Sequence, residues 1–182
     1  MEYFTTEKQH IDMKKIEIPG RILDIGGGGE GVISRCYGDR VVAIDKRKDE
    51  LEESPDIGLK IIMDACELKF LDNTFDNITC FYSLMFMGEE EVGKVLAEAY
   101  RVLAPGGRLW IWDTDMPFPS TADVFLVPLE ITLPSEIISA TFGISWRKGQ
   151  SLDTVSQKCV AAGFTVYENR TAGQGFFLRL VK

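Results

Sequence analysis

The sequence predicts an α/β fold: a mostly parallel sheet with helices on both faces. Three observations carry that expectation. Short apolar runs alternate with helical stretches along most of the chain, the pattern of strand–helix–strand units. A glycine cluster, Gly26-Gly27-Gly28-Gly29 with Gly31 close behind, sits between the first apolar run and the helical stretch that follows. Pro105-Gly106-Gly107 separates the longest amphipathic stretch from another apolar run.

In chain order, residues 21–25 (RILDI) form a short apolar run entering the glycines, the profile of a buried parallel strand. Helical signal follows over 30–37. Residues 41–44 (VVAI) make a second strand that ends at Asp45, and the charged stretch 46–53 reads as an exposed helix closed by Ser54-Pro55. A third strand, 59–63, ends at Asp64, and a fourth covers 76–82. Val92, Val95, Leu96, Ala99 and Leu103 fall on one helical face, which Pro105-Gly106-Gly107 terminates before a fifth strand at 108–112. Leu152, Val155 and Cys159 mark a last helix ending at Gly163; strands 164–168 and 175–181 follow, joined by a glycine-containing turn.

Residues 113–150 break the alternation. Segments 124–133 and 137–146 are rich in β-branched and apolar residues and are separated by Pro134-Ser135. They predict an extra strand pair inserted after the fifth strand. Pro128 and Pro134 place the first of the pair at a sheet edge.

At 182 residues the chain suits a single domain, 1–182, with an N-terminal segment at 1–20. Twenty basic and 28 acidic residues give a net charge of −8, which argues against a sequence-independent grip on nucleic acid. No apolar run approaches the ~18 residues of a membrane span, and the first eight residues lack a charged-then-apolar leader. Cys36, Cys66, Cys80 and Cys159 are scattered, without CxxC spacing, and His10 is the one histidine. That pattern fits a reducing cytoplasm and offers neither a disulfide framework nor a metal cluster.

The glycine cluster opens a helix straight after a strand, where a backbone without side chains can turn tightly and approach a ligand. Gly26, Gly28 and Gly31 satisfy the GxGxxG spacing of dinucleotide sites, a weak signal alone. Asp45, about 20 residues on at a strand's carboxyl end, could accept both hydroxyls of a ribose. NAD and S-adenosylmethionine share these features. Asp24, two residues before the first glycine, separates them: a carboxylate would repel a pyrophosphate but suits an ammonium group. Asp64-Ala65 closes the third strand, where a carboxylate and an amide could meet an adenine edge. No Tyr-x-x-x-Lys pair or central histidine provides a dehydrogenase's proton transfer. The charge logic favours a sulfonium cofactor.

These residues resemble the class I S-adenosylmethionine-dependent methyltransferases, the small-methyltransferase group. The resemblance runs from Arg21 to Trp112 in four ordered blocks. They are Leu23-Asp24-Ile25-Gly26-Gly27-Gly28; Ala43-Ile44-Asp45; the stretch from Asp64-Ala65 to Phe75-Asp76, similar to DAxxLPFxDxxFD; and Arg101-Val102-Leu103-Ala104-Pro105-Gly106-Gly107-Arg108-Leu109, similar to RVLxPGGxL. The resemblance implies a Rossmann-like seven-stranded sheet of order 3-2-1-4-5-7-6 with its last-numbered strand antiparallel. It implies S-adenosyl-L-methionine as cofactor, with Asp24, Gly26, Gly27 and Gly28 around the methionine part and Asp45, followed by Lys46, at the ribose. Asp64 and Ala65 would meet the adenine, and Ser83 and Leu84 would line the site near the sulfonium. The sequence departs from the family at Glu30-Gly31, where the third glycine comes one place late, at Lys46-Arg47, and at Met85-Phe86, where many members carry histidine.

Methyl transfer by direct displacement depends mainly on alignment, so no catalytic residue is assigned. The Asn/Asp-Pro-Pro-Tyr/Phe signature of nucleobase-amine methylation is absent after the fourth strand, which points to a small-molecule methyl acceptor. Asp113 and Asp115 could bind a divalent ion or an acceptor hydroxyl, although a polar strand end is the plainer reading, and no metal is assigned. Acceptor specificity is expected from the N-terminal segment and the 113–150 insertion. There Phe118, Phe125, Phe142 and Trp146 could wall an apolar pocket, or pack a strand pair or a homodimer interface. Tyr3 and Phe4 could close over the cofactor or simply fray. Two alternatives stand beside the enzyme: a non-catalytic module binding S-adenosylmethionine or S-adenosylhomocysteine, and an NAD-dependent oxidoreductase.

Overall fold

Two sheets organise the described residues, 2–118 and 122–182 of a computed structural model. Met1 and residues 119–121 of the expected insertion lie outside them. In chain order the strands are β1 (Tyr3–Thr5), β2 (Gln9–Asp12), β3 (Ile22–Ile25), β4 (Val41–Asp45), β5 (Leu59–Ile62), β6 (Phe75–Phe81), β7 (Leu103–Thr114), β8 (Val124–Thr132), β9 (Ile137–Ser145), β10 (Thr165–Ala172) and β11 (Gly175–Val181). The helices are α1 (Val32–Tyr37), α2 (Lys48–Glu53), α3 (Glu89–Val102) and α4 (Leu152–Ala161), with a 3₁₀ turn at Leu84–Phe86 after β6. None of these helices is long and apolar enough to cross a membrane.

The larger sheet has seven strands in the order β10-β11-β7-β6-β3-β4-β5. Numbered among themselves, they run 3-2-1-4-5-7-6. β11 is antiparallel to both neighbours, and the other pairings are parallel. Side chains alternate across this sheet. Ile78 and Cys80 of β6 with Leu109 and Ile111 of β7 face Val92, Val95, Leu96 and Ala99 of α3 and Val155 and Cys159 of α4. Phe81, Trp110, Trp112 and Phe177 belong to the opposite face. Pro105-Gly106-Gly107 lies inside β7, where pairing with β6 jumps from Phe75↔Leu103 to Asn77↔Arg108. Such a bulge lets the helix run directly into the strand.

The second face differs from expectation. α1 covers part of it, and the rest is covered by a second sheet in which β8 pairs with β9, β1 and β2. Phe125, Val127, Leu129 and Ile131 of β8 are all buried against the larger sheet. The strand pair is therefore a covering layer built together with the N-terminal segment. β1 and β2 escaped the sequence pattern because they are only three and four residues long, too short for an alternation to show, and β2 is mostly polar.

Pro128 does not mark an edge, since β8 is paired on both sides. Thr6 N donates to Leu126 O and Met13 N to Thr132 O, so even-numbered β8 residues direct their backbone groups toward the N-terminal segment. The missing N–H of Pro128 faces the break between β1 and β2, where no ladder bond is lost. Phe4 stacks on Phe125 at 5.3 Å and contacts Trp146 at 5.2 Å, which makes β1 part of this layer and takes Tyr3 and Phe4 away from the site below.

Candidate functional site

A cavity of about 440 Å³ opens at the carboxyl ends of β3, β4, β5 and β6. β4 and β5 lie to one side of β3 and β6 and β7 to the other, so this is the crevice where an open α/β sheet reverses its strand order and binds ligands. Asp24, Gly26, Gly27, Gly28, Asp45, Lys46, Asp64, Ala65 and Ser83 all line it. Leu84 does not: it is fully buried in the α3-side core, and Phe86 and Met87 beyond it reach the cavity instead.

The glycine turn is fixed by backbone bonds from Gly26 N and Gly27 N to Ile44 O, at 2.9 and 3.0 Å. The space that side chains would fill is taken by the protein itself. A Cβ on Gly26 would come 2.5 Å from Ser83 Cβ, and one on Gly27 would come 2.6 Å from Asp24 Oδ2. The late third glycine, Gly31, caps α1 in a left-handed conformation, φ 58°. The departure at Glu30-Gly31 is thereby absorbed without losing the turn.

Three carboxylates surround this turn. Asp24, on β3, is 2% exposed and accepts a hydrogen bond from Thr79 Oγ1. Burial raises its pKa from the ordinary 3.8 to about 7, against the pull of Thr79 and with a further push from Asp45. Asp45, ending β4, uses Oδ1 to accept from Arg47 N at 2.8 Å, and Asp64, past β5, does the same for Cys66 N at 2.8 Å. Both carboxylates are thus held facing the cavity by their own turns. Lys46 reaches across to Glu91, with Nζ 3.3 Å from Oε1. Glu91 also accepts from Gly88 N, and that bond, followed by Lys46, holds its carboxyl below the usual range.

Ser83 follows Tyr82, which has a left-handed φ of 48°. The Ser83 hydroxyl is buried and lacks a conventional hydrogen-bond partner, the Cys80 thiol being its polar neighbour. Part of the cavity wall is aromatic. Phe142 on β9 lies 5.8 Å from the Tyr82 ring and 6.3 Å from that of Phe86, centroid to centroid, and all three line the cavity. Of the four aromatics expected to wall a pocket, only Phe142 does so. Phe125 and Trp146 are core residues and Phe118 is 82% exposed.

Asp113 and Asp115 serve the scaffold. Asp113 is fully buried and accepts from Met85 N, Thr114 N and Gln150 Nε2; burial raises its pKa to about 6. Asp115 accepts from Leu152 N at the start of α4. Thr79, Tyr82, Phe86 and Glu91 were not singled out from the sequence as cofactor-site residues. Thr79 was the most accessible, since a threonine in an otherwise apolar strand beside Asp24 is a polar partner for a buried carboxylate.

Comparison with known proteins agrees with this geometry. A family model described as "Methyltransferase domain" matches residues 23–111. A demethylmenaquinone methyltransferase of Thermus thermophilus is 31% identical, over 91% of this chain and 84% of its own length. A demethylmenaquinone methyltransferase of Renibacterium salmoninarum is 38% identical over 55% of this chain, which spans 44% of that relative. Among solved structures, a protein of Pyrococcus horikoshii superposes with a TM-score of 0.67 at 19% identity, covering 93% of this chain and 85% of its own. A glycopeptide N-methyltransferase complexed with S-adenosyl-L-homocysteine superposes at 0.60 with 14% identity, covering 91% and 84%.

Proposed function

The chain belongs to the class I S-adenosylmethionine-dependent methyltransferases, and from that premise we propose that the cavity holds S-adenosylmethionine along its strand ends and a flat apolar acceptor at its Phe142 end. One observation carries the reading: Asp24, Asp45 and Asp64, from three neighbouring strands, converge with the glycine turn on a single cavity. Asp24 and Gly26, Gly27 and Gly28 are assigned to the methionine part, Asp45 with Lys46 to the ribose, and Asp64 with Ala65 to the adenine. Ser83 is assigned to the sulfonium region, with Leu84 supporting it from the core.

The residues fit this group. A buried carboxylate whose side-chain partner is one hydroxyl suits an incoming ammonium, and the unpartnered Ser83 hydroxyl suits a polar ligand atom. When bound, S-adenosylmethionine supplies a methyl group on a cationic sulfur that an acceptor atom displaces in line. The chain's own contribution is alignment and exclusion of water. Holding two reactants in register can supply up to about 7–11 kcal/mol of the barrier. The Tyr82, Phe86 and Phe142 rings orient a flat acceptor by stacking and apolar contact.

We place the acceptor among aromatic quinone-type rings, methylated on carbon. The aromatic wall supports this, as does the similarity to relatives named demethylmenaquinone methyltransferases. The reaction is assigned to the cytoplasm, in keeping with four free thiols. Any homodimer is assigned to the outer edge of β9, the free side of the 113–150 insertion.

Calorimetric titration with S-adenosylmethionine, S-adenosylhomocysteine and NAD, on the wild type and Asp45→Ala, tests the cofactor reading. Micromolar-range binding of the adenosyl ligands, lost in the variant, is the expected result; binding of NAD alone would refute it. Transfer of labelled methyl from the bound cofactor to a reduced short-chain naphthoquinone is expected for an enzyme. Tight adenosyl binding without transfer to any quinone, phenol or amine would identify a binding module instead.

A further inference from the structure

The chain must turn sharply after β6 to set Ser83 against Gly26, and it does so at Tyr82. Tyr82 and Asn73 are the two non-glycine residues with positive φ among the described residues. A left-handed tyrosine is strained and persists only where its surroundings over-determine it. Two anchors hold it. Its backbone N–H donates to Trp112 O at 2.7 Å. Its side chain, 1% exposed, donates its phenol hydrogen to Gln9 Oε1.

Gln9 comes from β2, the strand that the sequence pattern did not reveal. It is buried, and its Nε2 donates to Thr114 Oγ1 at 3.0 Å, so both ends of the amide are engaged. A side chain at Gly175 would collide with that amide, which leaves Gln9 little room to move. Gln9 does not itself line the cavity, whereas Tyr82 and Ser83 do.

We propose that Gln9 is a positioning residue of the cofactor site: acting through Tyr82, it holds the left-handed turn that presses Ser83 against the glycine loop. The proposal rests on the reading of this cavity as the S-adenosylmethionine site. It makes the N-terminal strand part of the binding machinery. Without the amide acceptor, the buried phenol loses its partner and the strained turn loses one of its two anchors. Ser83 is then free to withdraw from Gly26, and the wall of the site changes shape.

The test is calorimetric titration of S-adenosylhomocysteine into wild type, Gln9→Leu, Tyr82→Phe, Ser83→Ala and the double variant Gln9→Leu/Ser83→Ala, with a Tm for each. Gln9→Leu and Tyr82→Phe are each expected to weaken binding about tenfold, or roughly 1.4 kcal/mol. In the Ser83→Ala background, Gln9→Leu is expected to add less than about twofold, because its effect passes through Ser83. Tyr82→Phe keeps the ring and removes only the hydroxyl, so it tests the same link should Gln9→Leu not fold. A lowered Tm with affinity within about twofold of wild type would overturn the proposal, as would fully additive losses in the double variant. Failure of the wild type to bind any adenosyl ligand would instead overturn the cavity reading, and the proposal with it.

Discussion

Thr79 Oγ1 lies 2.7 Å from Asp24 Oδ1, between register partners on β6 and β3 directly beneath the glycine turn. That single bond is too little to keep a buried carboxylate ionised at low pH, and Asp24 accordingly titrates near 7 instead of its ordinary 3.8. Asp113, also buried, titrates near 6. Between about pH 4 and 7 the folded chain holds protons that the unfolded chain has released. Stability without ligand is therefore expected to fall as pH rises through that window and to level off above it. A bound ammonium group requires the ionised carboxylate, so affinity for S-adenosylhomocysteine is expected to rise from pH 6 to 8. Denaturant unfolding and calorimetry across this range check both slopes, with Asp24→Asn removing the upper part of each. Affinity that is flat with pH would remove Asp24 from contact with the ligand.

Asp45 and Asp64 each spend one oxygen on their own turn. Replacing either by alanine is expected to weaken adenosyl-ligand binding about 10–100-fold, the scale of a lost hydrogen bond to a charged group. Tm is expected to change little, since both turns are exposed. Asp72→Ala, which removes an ion pair to Arg101 away from the cavity, serves as a control with unaltered affinity. Equal losses from all three variants would mean that general electrostatics, not contact, sets binding.

Gly27 and Gly93 predict opposite outcomes for the same substitution. A Cβ at Gly27 meets Asp24 Oδ2 at 2.6 Å and Ala43 Cβ at 2.8 Å, so Gly27→Ala is expected to cost about 1–3 kcal/mol by overpacking. Gly93 lies within α3 and a Cβ there meets nothing within 4 Å. Gly93→Ala is expected to stabilise by about 0.5–1 kcal/mol. Urea unfolding midpoints measure both.

Most of the seven-stranded sheet was legible because its strands announce themselves locally as short apolar runs, and β3, β4 and β5 run directly into glycine or aspartate. Asp24, Asp45 and Asp64, the carboxylates proposed for the cofactor, were legible as cavity residues for a related reason: they sit at or beside the carboxyl ends of β3, β4 and β5. What stayed hidden depends on contacts far apart in the chain. Gln9 meets Tyr82 and Thr114 across 73 and 105 residues, and β1 and β2 exist only because β8 offers them a ladder. Leu84 was expected to line the site, but the 3₁₀ turn that begins with it buries it in the core and leaves Phe86 facing outward. Pro128 read as an edge signal, when the matching interruption lay in the partner segment.

Phe142 offers the sharpest separation of acceptor from cofactor. It arrives at the cavity from β9 opposite Val127, and its ring meets those of Tyr82 and Phe86. Phe142→Ala removes one wall of the proposed acceptor end while leaving Asp24, Asp45 and Asp64 in place. With a reduced naphthoquinone as acceptor, KM is expected to rise about tenfold or more, in line with about 1.5–3 kcal/mol for a buried aromatic contact. Affinity for S-adenosylhomocysteine is expected to stay within about twofold of wild type. Phe142→Leu, which keeps apolar bulk but not the flat face, is expected to recover part of KM, and the shortfall measures stacking as distinct from burial. Loss of cofactor affinity with an unaltered KM would move Phe142 to the cofactor half of the cavity and leave Phe86 as the aromatic on which the acceptor must rest.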